Sequence, residues 1–384
     1  MDYAKLALER HENARGKIEI TSTVPLKDEQ DLSTYYTPGV AAPCLAIKAD
    51  PALASKYTAR DRMVAIVTDG SAILGLGNIG ALAGMPVMEG KAVLFKHFAG
   101  VDAFPICLAT QDPEEIIATV KNIAPGFGGI NLEDIAAPAC FEVERRLKEE
   151  LNIPVFHDDQ HGTAIVTCAA LYNALRLTGR SMDAVKVVIN GAGAAGCAIA
   201  HMLYKLGCRQ ILLCDSKGIV SADRSLTPAK KEMLTITNPE NLSGTLADAM
   251  IHADVFIGVS APDCVTADMV KSMSPDPILF AMANPNPEIQ PDAAKAAGAA
   301  VVGTGRSDYP NQINNVLVFP GLFRGALDAR AEKITDAMLM AAVHALADLI
   351  PEEELTPENI IPSVFHPQAA KAIAEAVRKA WENR

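Results

Sequence analysis

The chain has 384 residues, a formal net charge of −12 and a hydrophobic share of 49%. Its length exceeds the usual size of one domain, so we expect two domains, and its composition is that of a packed globular protein rather than a disordered one. The acidic charge, without a basic run, argues against nucleic acid as a partner, although a small anion can still bind beside a metal ion or fixed cations.

The eight cysteines lie singly, without a CxxC motif or the spacing of a zinc site. This pattern predicts reduced thiols. The N-terminal residues carry acids and no apolar core, so they do not resemble a signal peptide, and we expect no membrane span. The sequence therefore predicts a cytoplasmic protein.

The first part of the chain alternates between predicted strands and helices. Three segments are strand candidates, namely residues 62–69, 91–98 and 103–109. Lys91 would thus begin a strand, and Asp112, followed by proline and two acids, predicts a helix N-terminus. We expect residues 1–160 to form an N-terminal α/β domain that carries catalytic and metal-binding groups.

The second part of the chain, residues 161–384, repeats the alternation of helix and strand. A helix closed by Gly179 leads into further strand candidates at residues 184–189, 210–214, 254–259, 277–282 and 299–302. This order is typical of a doubly wound, Rossmann-like parallel sheet. The last predicted helix, residues 367–381, is amphipathic and could pack back on the first domain.

A glycine-rich motif lies where such a sheet binds dinucleotides. Gly191, Gly193 and Gly196 follow a strand and open a helix, and a second strand ends at Asp215. The pattern predicts a pyrophosphate at the helix N-terminus and a ribose hydroxyl on Asp215, which favours NAD. NADP stays possible because the nearby Lys217 could bind a 2′-phosphate, and the alternative is a glycine-rich turn that binds nothing.

A second match to the same pattern, residues 75–80, lacks this context. No strand abuts it directly, and no acid closes a second strand about 20 residues later, as the fingerprint requires. We interpret it as a tight structural loop near the active site.

Two acidic pairs end apolar segments, Glu133 with Asp134 and Asp158 with Asp159. Carboxylate oxygens suit Mg²⁺ or Mn²⁺, although either pair could instead be solvated or cap a helix. His157 and His161 flank the second pair, but they lie between a strand and a helix start, so we interpret them as structural rather than as zinc ligands.

Lys91 and Tyr36 are candidates for proton transfer. A lysine at the start of an apolar strand can be desolvated, which would lower its pKa toward that of a base, although such a lysine is usually a solvated charge. Tyr36, in the turn that precedes Pro38, could donate a proton or only anchor the turn.

Taken in order, eight segments resemble the malic enzyme family in its small bacterial form: YYTPGVAAPC, VTDGSAILGLGNIG, MPVMEGKAVLF, INLEDI, VFHDDQHGTA, GAGAAG, FAMANPNPE and INNVLVFPG. The resemblance covers most of residues 30–325. It implies metal-dependent oxidative decarboxylation of (S)-malate to pyruvate and CO₂ with reduction of NAD or NADP, and it suggests a homodimer or larger assembly.

The resemblance also implies a role for individual residues. Tyr36 matches the proton donor and Lys91 the proton acceptor, with Asp158 as the partner of Lys91. The remaining matches are the metal ligands Glu133, Asp134 and Asp159, the cofactor contacts Thr163, Ala192, Gly193, Ala194 and Ala195, and the positions near nicotinamide and substrate, Asn284 and Asn315.

One position departs from the larger members of the family, where an arginine binds the malate carboxylate. This chain has Ala72 at that position, so the sequence does not identify the residue that binds the malate carboxylate. Two rival functions also stay open. A metal-independent Rossmann dehydrogenase would leave the acids unused, and a non-catalytic nucleotide-sensing subunit would need neither Tyr36 nor Lys91.

Overall fold

The computed structural model describes residues 3–73 and 75–384, and its first sheet has four parallel strands. These are β1 (Met63–Thr68), β2 (Asp102–Cys107), β3 (Gly129–Leu132) and β4 (Val155–His157), in the order β2-β1-β3-β4. Strands β1, β3 and β4 are almost fully buried because helices cover the sheet. The parallel arrangement brings the carboxyl ends of β3 and β4 side by side.

The second sheet contains six strands within the described residues: β5 (Lys186–Asn190), β6 (Gln210–Asp215), β7 (Gly218–Ile219), β8 (Val255–Gly258), β9 (Ile278–Ala281) and β10 (Val301–Thr304). Their order is β10-β9-β8-β5-β6-β7, and only β7 is antiparallel to its neighbour. The chain continues from β5 to β6 on one side and reaches β8 on the other. The carboxyl end of β5 is therefore the switch point at which such sheets bind ligands.

Helices connect and cover the two sheets. In the described residues they are α1 (Tyr3–Ala14), α2 (Glu29–Tyr35), α3 (Ala41–Ala49), α4 (Ala54–Tyr57), α5 (Ala81–Ala99), α6 (Pro113–Ile123), α7 (Ala139–Glu150), α8 (Thr163–Thr178), α9 (Ala194–Lys205), α10 (Pro228–Met233), α11 (Leu246–Met250), α12 (Ala267–Lys271), α13 (Pro291–Ala296), α14 (Phe319–Asp328), α15 (Asp336–Ala347) and α16 (Ala369–Glu382). None of them is long and apolar enough to cross a membrane.

The prediction of a strand at residues 91–98 is wrong, because this segment is the second half of α5. Met88, Lys91, Ala92 and Phe95 are buried at a spacing of three and four residues, which is a helical period. A short apolar run does not distinguish a buried strand from a buried helix. The helix ends at Gly100, whose φ of +65° gives a left-handed cap.

The C-terminal helix α16 packs on α14 and α15 and also contacts α5. Gly321 and Gly325 of α14 allow this close approach, since a Cβ at either position would lie 2.5 Å or less from a backbone oxygen of α16. Helix α14 packs in turn on α5, with the rings of Phe95 and Phe319 4.7 Å apart. The chain terminus thereby supports the helix that carries Lys91.

Candidate active site

Three carboxylates converge at the carboxyl edge of the first sheet. Glu133 and Asp134 follow β3 directly, and Asp159 follows the neighbouring strand β4 after one residue. One ligand oxygen from each of the three lies within 4.8 Å of the others. The backbone N–H of Asp134 also donates to the Asp159 carboxylate, with an N···O distance of 2.8 Å. Sheet pairing thus explains how acids 25 positions apart meet.

Unusual backbone conformations determine where these acidic side chains point. Asp134 has a φ of +53°, a left-handed conformation that a non-glycine residue adopts at some energetic cost. Residues Asp158–Gly162 form a single π-helical turn, a feature often found at functional sites. A Cβ at Gly162 would lie 1.9 Å from Oδ1 of Asp158, so only glycine fits there. The local strain is consistent with a site that holds the acids together.

The donor set fits a hard divalent cation. All three groups offer carboxylate oxygens, the ligand type that Mg²⁺ and Mn²⁺ prefer. Burial raises the pKa of Glu133, while the ammonium of Lys91 opposes this shift. A cation bound by the three groups would relieve the cost of burying their negative charge. The residues present therefore fit a magnesium or manganese ion.

Lys91 projects from α5 into the same cluster and is only 7% exposed. Its Nζ lies 2.7 Å from Oε1 of Glu133, forms an ion pair with Asp158, and lies 4.3 Å from the centre of the Phe319 ring. Burial acts to lower the pKa of Lys91, but the negative charges of Asp158 and Glu133 outweigh it and raise the pKa. The expectation of a lowered pKa is therefore wrong for this arrangement, because it rested on burial alone and did not include the charges of Asp158 and Glu133.

Glu144, which the sequence analysis missed, holds the turn that carries Asp158 and Asp159. Its carboxylate accepts the backbone N–H of His157 at 3.1 Å, hydrogen-bonds the His161 ring at 2.9 Å, and pairs with Lys148 at 2.6 Å. His157 is fully buried, and burial lowers its pKa to about 4. Glu144 therefore holds the backbone of His157 and the ring of His161, which fits a structural role for both histidines. An acid on the buried face of α7 was the available signal for Glu144.

Tyr36 does not lie in this buried cluster. It follows α2 and is 67% exposed, and its phenol forms no hydrogen bond within residues 3–73 and 75–384. The helices around it, α1 to α4, contain no buried residue. The structure therefore brings Lys91, Asp158 and the three metal-ligand candidates together but leaves Tyr36 at the surface.

The glycine-rich turn after β5 has the conformation that dinucleotide binding requires. Gly191 has a φ of +122°, and a Cβ there would lie 2.4 Å from the carbonyl oxygen of Val259. A Cβ at Gly196 would lie 1.8 Å from the carbonyl oxygen of Gly191, whereas Gly193 faces open space. That space lies at the N-terminus of α9, where backbone N–H groups attract a phosphate. The turn therefore fits a pyrophosphate.

Asp215 ends β6, as predicted, but two cations already hold its carboxylate. Arg224 donates to both oxygens at 2.7 and 2.8 Å, and Lys230 donates at 2.5 Å. Although burial opposes the shift, Lys230 and Arg224 lower the pKa of Asp215 to about 2. Lys217 contributes its backbone N–H at 2.9 Å. The sequence analysis considered only Lys217, because the other two cations lie 9 and 15 positions away.

The two asparagine candidates lie on loops that meet the rest of the site. Asn315 begins a 3₁₀ turn, and its Cβ would lie 3.3 Å from a Cβ on Gly162, directly beside the π-helical turn. The carbonyl oxygen of Asn284 would lie 2.7 Å from a Cβ on Gly75. The loop at residues 75–80 is thus a tight turn packed against the Asn284 segment. Thr163 begins α8 immediately after Gly162.

Comparison with known proteins agrees with this arrangement. Residues 15–148 match the family model "Malic enzyme, N-terminal domain", and residues 160–381 match "Malic enzyme, NAD binding domain". The chain belongs to the malic enzyme family. It is 57% identical over 99% of its length to a Bacillus subtilis protein named bifunctional malic/malolactic enzyme, of which it covers 93%.

The chain has the same fold as a solved structure of the NAD-dependent malic enzyme from Thermotoga maritima. It superposes with a TM-score of 0.94 at 50% identity, over 97% of this chain and 98% of that one. This likeness confirms the predicted fold class, an α/β chain with a Rossmann-like second sheet.

Relatives within the malic enzyme family differ in the cofactor that their names give. The chain is 56% identical to a Geobacillus stearothermophilus protein named NAD-dependent malic enzyme, over 95% of this chain and 76% of that one. It is 50% identical to a Haemophilus influenzae protein named NADP-dependent malic enzyme, over 97% of this chain and 52% of that one. Family membership therefore supports a nicotinamide dinucleotide but does not choose between the two.

Proposed function

We propose that the chain oxidises (S)-malate and decarboxylates the product to pyruvate and CO₂, with NAD or NADP as hydride acceptor and Mg²⁺ or Mn²⁺ as metal ion. The observation that carries this proposal is the buried cluster of Lys91, Asp158 and three carboxylates, in a chain that also holds a dinucleotide-binding turn. The test is malate-dependent formation of NADH or NADPH by the purified protein, with pyruvate as product.

Each functional side chain has its own role in the proposed reaction. Burial raises the pKa of Asp158 to about 8, against the charge of Lys91, so the ionised Asp158 of this ion pair can accept a proton from Lys91. Lys91 can pass a proton to Asp158 and then accept the proton of the C2 hydroxyl as hydride leaves. A divalent ion held by Glu133, Asp134 and Asp159 would supply Lewis-acid polarisation of the substrate oxygens. Tyr36 would protonate C3 after CO₂ leaves.

The two rival functions predict other results in the same assay. A metal-independent dehydrogenase would reduce the cofactor in excess chelator, and a nucleotide-sensing subunit would bind the dinucleotide without turnover. The metal-independent rival leaves the three carboxylates beside Lys91 unused, and the nucleotide-sensing rival needs neither Lys91 nor these acids. Reduction of the cofactor that requires both malate and the metal would exclude both.

We further propose that the chain works as a homodimer in which Tyr36 enters the site of the partner copy. The proposed donor is exposed, while the segment around it presents many apolar side chains to solvent: Leu8, Ile20, Val24, Leu26, Leu32, Tyr35, Leu45 and Tyr57. Soluble proteins seldom expose so many large apolar side chains in one segment. We therefore expect a second copy of the chain to bury these side chains.

Complementation between two inactive variants tests this arrangement. A dimer of one Tyr36→Phe chain and one Lys91→Ala chain has one site with both native groups if Tyr36 acts across the interface, and none if it acts within its own chain. We expect a dimer purified through two different tags to regain about half of the native activity, since one of two sites is intact. Each variant alone is the control. Activity no higher than that of the single variants would contradict the proposal.

NAD is the cofactor that we propose as preferred, because Asp215 lies where a carboxylate accepts ribose hydroxyl bonds and repels a 2′-phosphate. Arg224 and Lys230 weaken that repulsion and are held in place by the carboxylate. Removing the carboxylate should free both cations for a phosphate.

We therefore expect Asp215→Ser to raise the ratio of kcat/KM for NADP over NAD by about tenfold, the scale of one charge-pair change at a binding site. Lys217→Ala is the matched control, and we expect it to change the ratio by less than about threefold, because its side chain does not contact the carboxylate. The measurement is kcat/KM for each cofactor at saturating malate and metal. An unchanged ratio in Asp215→Ser would contradict this assignment.

A further inference from the structure

Glu288 is a buried acid that the proposed chemistry does not use. It is 0% exposed, and it forms no ion pair in the described part of the chain. Its Oε1 accepts the backbone N–H of Ser260 at 2.8 Å and the Ser260 hydroxyl at 3.1 Å, and its Oε2 accepts the backbone N–H of Ala283 at 3.1 Å. Hydrogen bonds alone therefore compensate the burial of this carboxyl group.

These hydrogen bonds join two loops at the ligand-binding edge of the second sheet. Ser260 follows β8, and Ala283 follows β9 and directly precedes Asn284. Gly258, at the end of β8, leaves the room that the acid occupies, since a Cβ there would lie 2.3 Å from the carboxyl carbon of Glu288. The acid thus fills the gap between the ends of β8 and β9.

The same network reaches the glycine-rich turn. The Asn190 side chain, at the end of β5, donates to the Ser260 hydroxyl at 2.8 Å. Gly191 packs on the carbonyl oxygen of Val259, one residue before Ser260. The ends of β5, β8 and β9 are therefore joined through Glu288 around the switch point where the dinucleotide would lie.

We propose that Glu288 is a positioning residue, which holds Asn284 in place relative to the glycine-rich turn so that substrate and nicotinamide meet in reactive geometry. This inference rests on the proposed function and on the position near nicotinamide and substrate that the family resemblance implies for Asn284. A displacement of about 1 Å at such a contact can cost about 10²-fold in rate.

A carboxylate suits this task because both of its oxygens accept hydrogen bonds. In Glu288→Gln one of the two positions becomes an amide NH₂, which cannot accept from a backbone N–H. The variant keeps the size of the side chain, so one loop stays held and the other loses its acceptor. The defect is therefore confined to the link between the loops.

The test is a double-mutant cycle between Glu288→Gln and Asn284→Ala, read as kcat and as KM for malate. We expect Glu288→Gln alone to lower kcat/KM for malate by about 10²-fold and to have little further effect once Asn284 is replaced. A merely structural role would lower the thermal midpoint in both backgrounds and multiply the two kinetic effects. Glu332→Gln, at an exposed position, is the control for an acid-to-amide change.

The outcomes separate the inference from the proposed function. Multiplicative effects, or native kinetics in Glu288→Gln, would overturn the positioning role while malate oxidation stands. Native kinetics in Asn284→Ala would overturn both the assignment of Asn284 and the inference. Absence of malate turnover in the native protein would overturn the proposed function itself. If Glu288→Gln does not fold, Glu288→Asp replaces it in the same cycle, since its shorter carboxylate reaches only one loop and should show the same non-additivity.

Discussion

Asp159→Asn is expected to lower kcat for malate oxidation by at least about 10²-fold. Replacing residues that only orient metal ligands typically costs 10- to 100-fold, and a direct ligand should cost no less. Asp159 also accepts the backbone N–H of Asp134, which an asparagine oxygen can still accept, so the fold should survive. The measurement is kcat over a range of Mn²⁺ concentrations, together with calorimetric binding of Mn²⁺ alone.

The matched control is Asp268→Asn, the same change at an exposed position on α12, which should leave kcat and Mn²⁺ binding unchanged. Removal of the metal is the complementary experiment, since excess chelator should abolish turnover and added Mg²⁺ or Mn²⁺ should restore it. Near-native turnover of Asp159→Asn at low Mn²⁺ would contradict the metal assignment, as would full activity in chelator.

Lys91→Ala should slow malate oxidation by about 10²-fold or more, the usual contribution of a positioned base. The change also leaves Asp158 and Glu133 buried without their cation, so part of the loss can come from a weakened fold. Lys91→Arg keeps the charge but should not restore the rate, because a guanidinium does not give up its proton at neutral pH.

The comparison of two steps isolates the role of Lys91. Decarboxylation of supplied oxaloacetate does not require removal of the C2 hydroxyl proton, so it should be affected less than malate oxidation. Lys96→Ala, on the exposed face of the same helix, is the control and should keep native kcat. Equal losses in both steps, or native oxidation by Lys91→Ala, would contradict the assignment of Lys91 as proton acceptor.

The local sequence was enough to predict most strands and the glycine-rich turn. The strand β1 and the strand–turn–helix around Gly191 depend on short apolar runs and on glycines that must adopt special conformations. The acids Glu133 and Asp159 could be chosen as metal-ligand candidates because each belongs to an acidic pair at the end of an apolar segment. Their convergence is a consequence of parallel pairing of β3 and β4.

The sequence was not sufficient where a residue's role depends on distant neighbours. The pKa of Lys91 was expected to fall with burial, although the family resemblance named Asp158 as its partner. The contact with Glu133, 42 positions away, and the summed charge of the two acids appear only in the folded chain. The partners of Asp215 and the network around Glu288 were not seen for the same reason. Each depends on contacts between segments that are far apart in the sequence and that no local sequence pattern connects.

By itself, the sequence predicted the α/β class, the glycine-rich turn and which acids are metal-ligand candidates, since these follow from periodicity, glycine conformation and residue type within short segments. Tertiary structure decided that Glu133 also pairs with Lys91, which cations hold Asp215 and that Tyr36 lies at the surface of its own chain. The physical reason is that charge, burial and hydrogen bonding act through space, so they are fixed only when packing brings distant segments together.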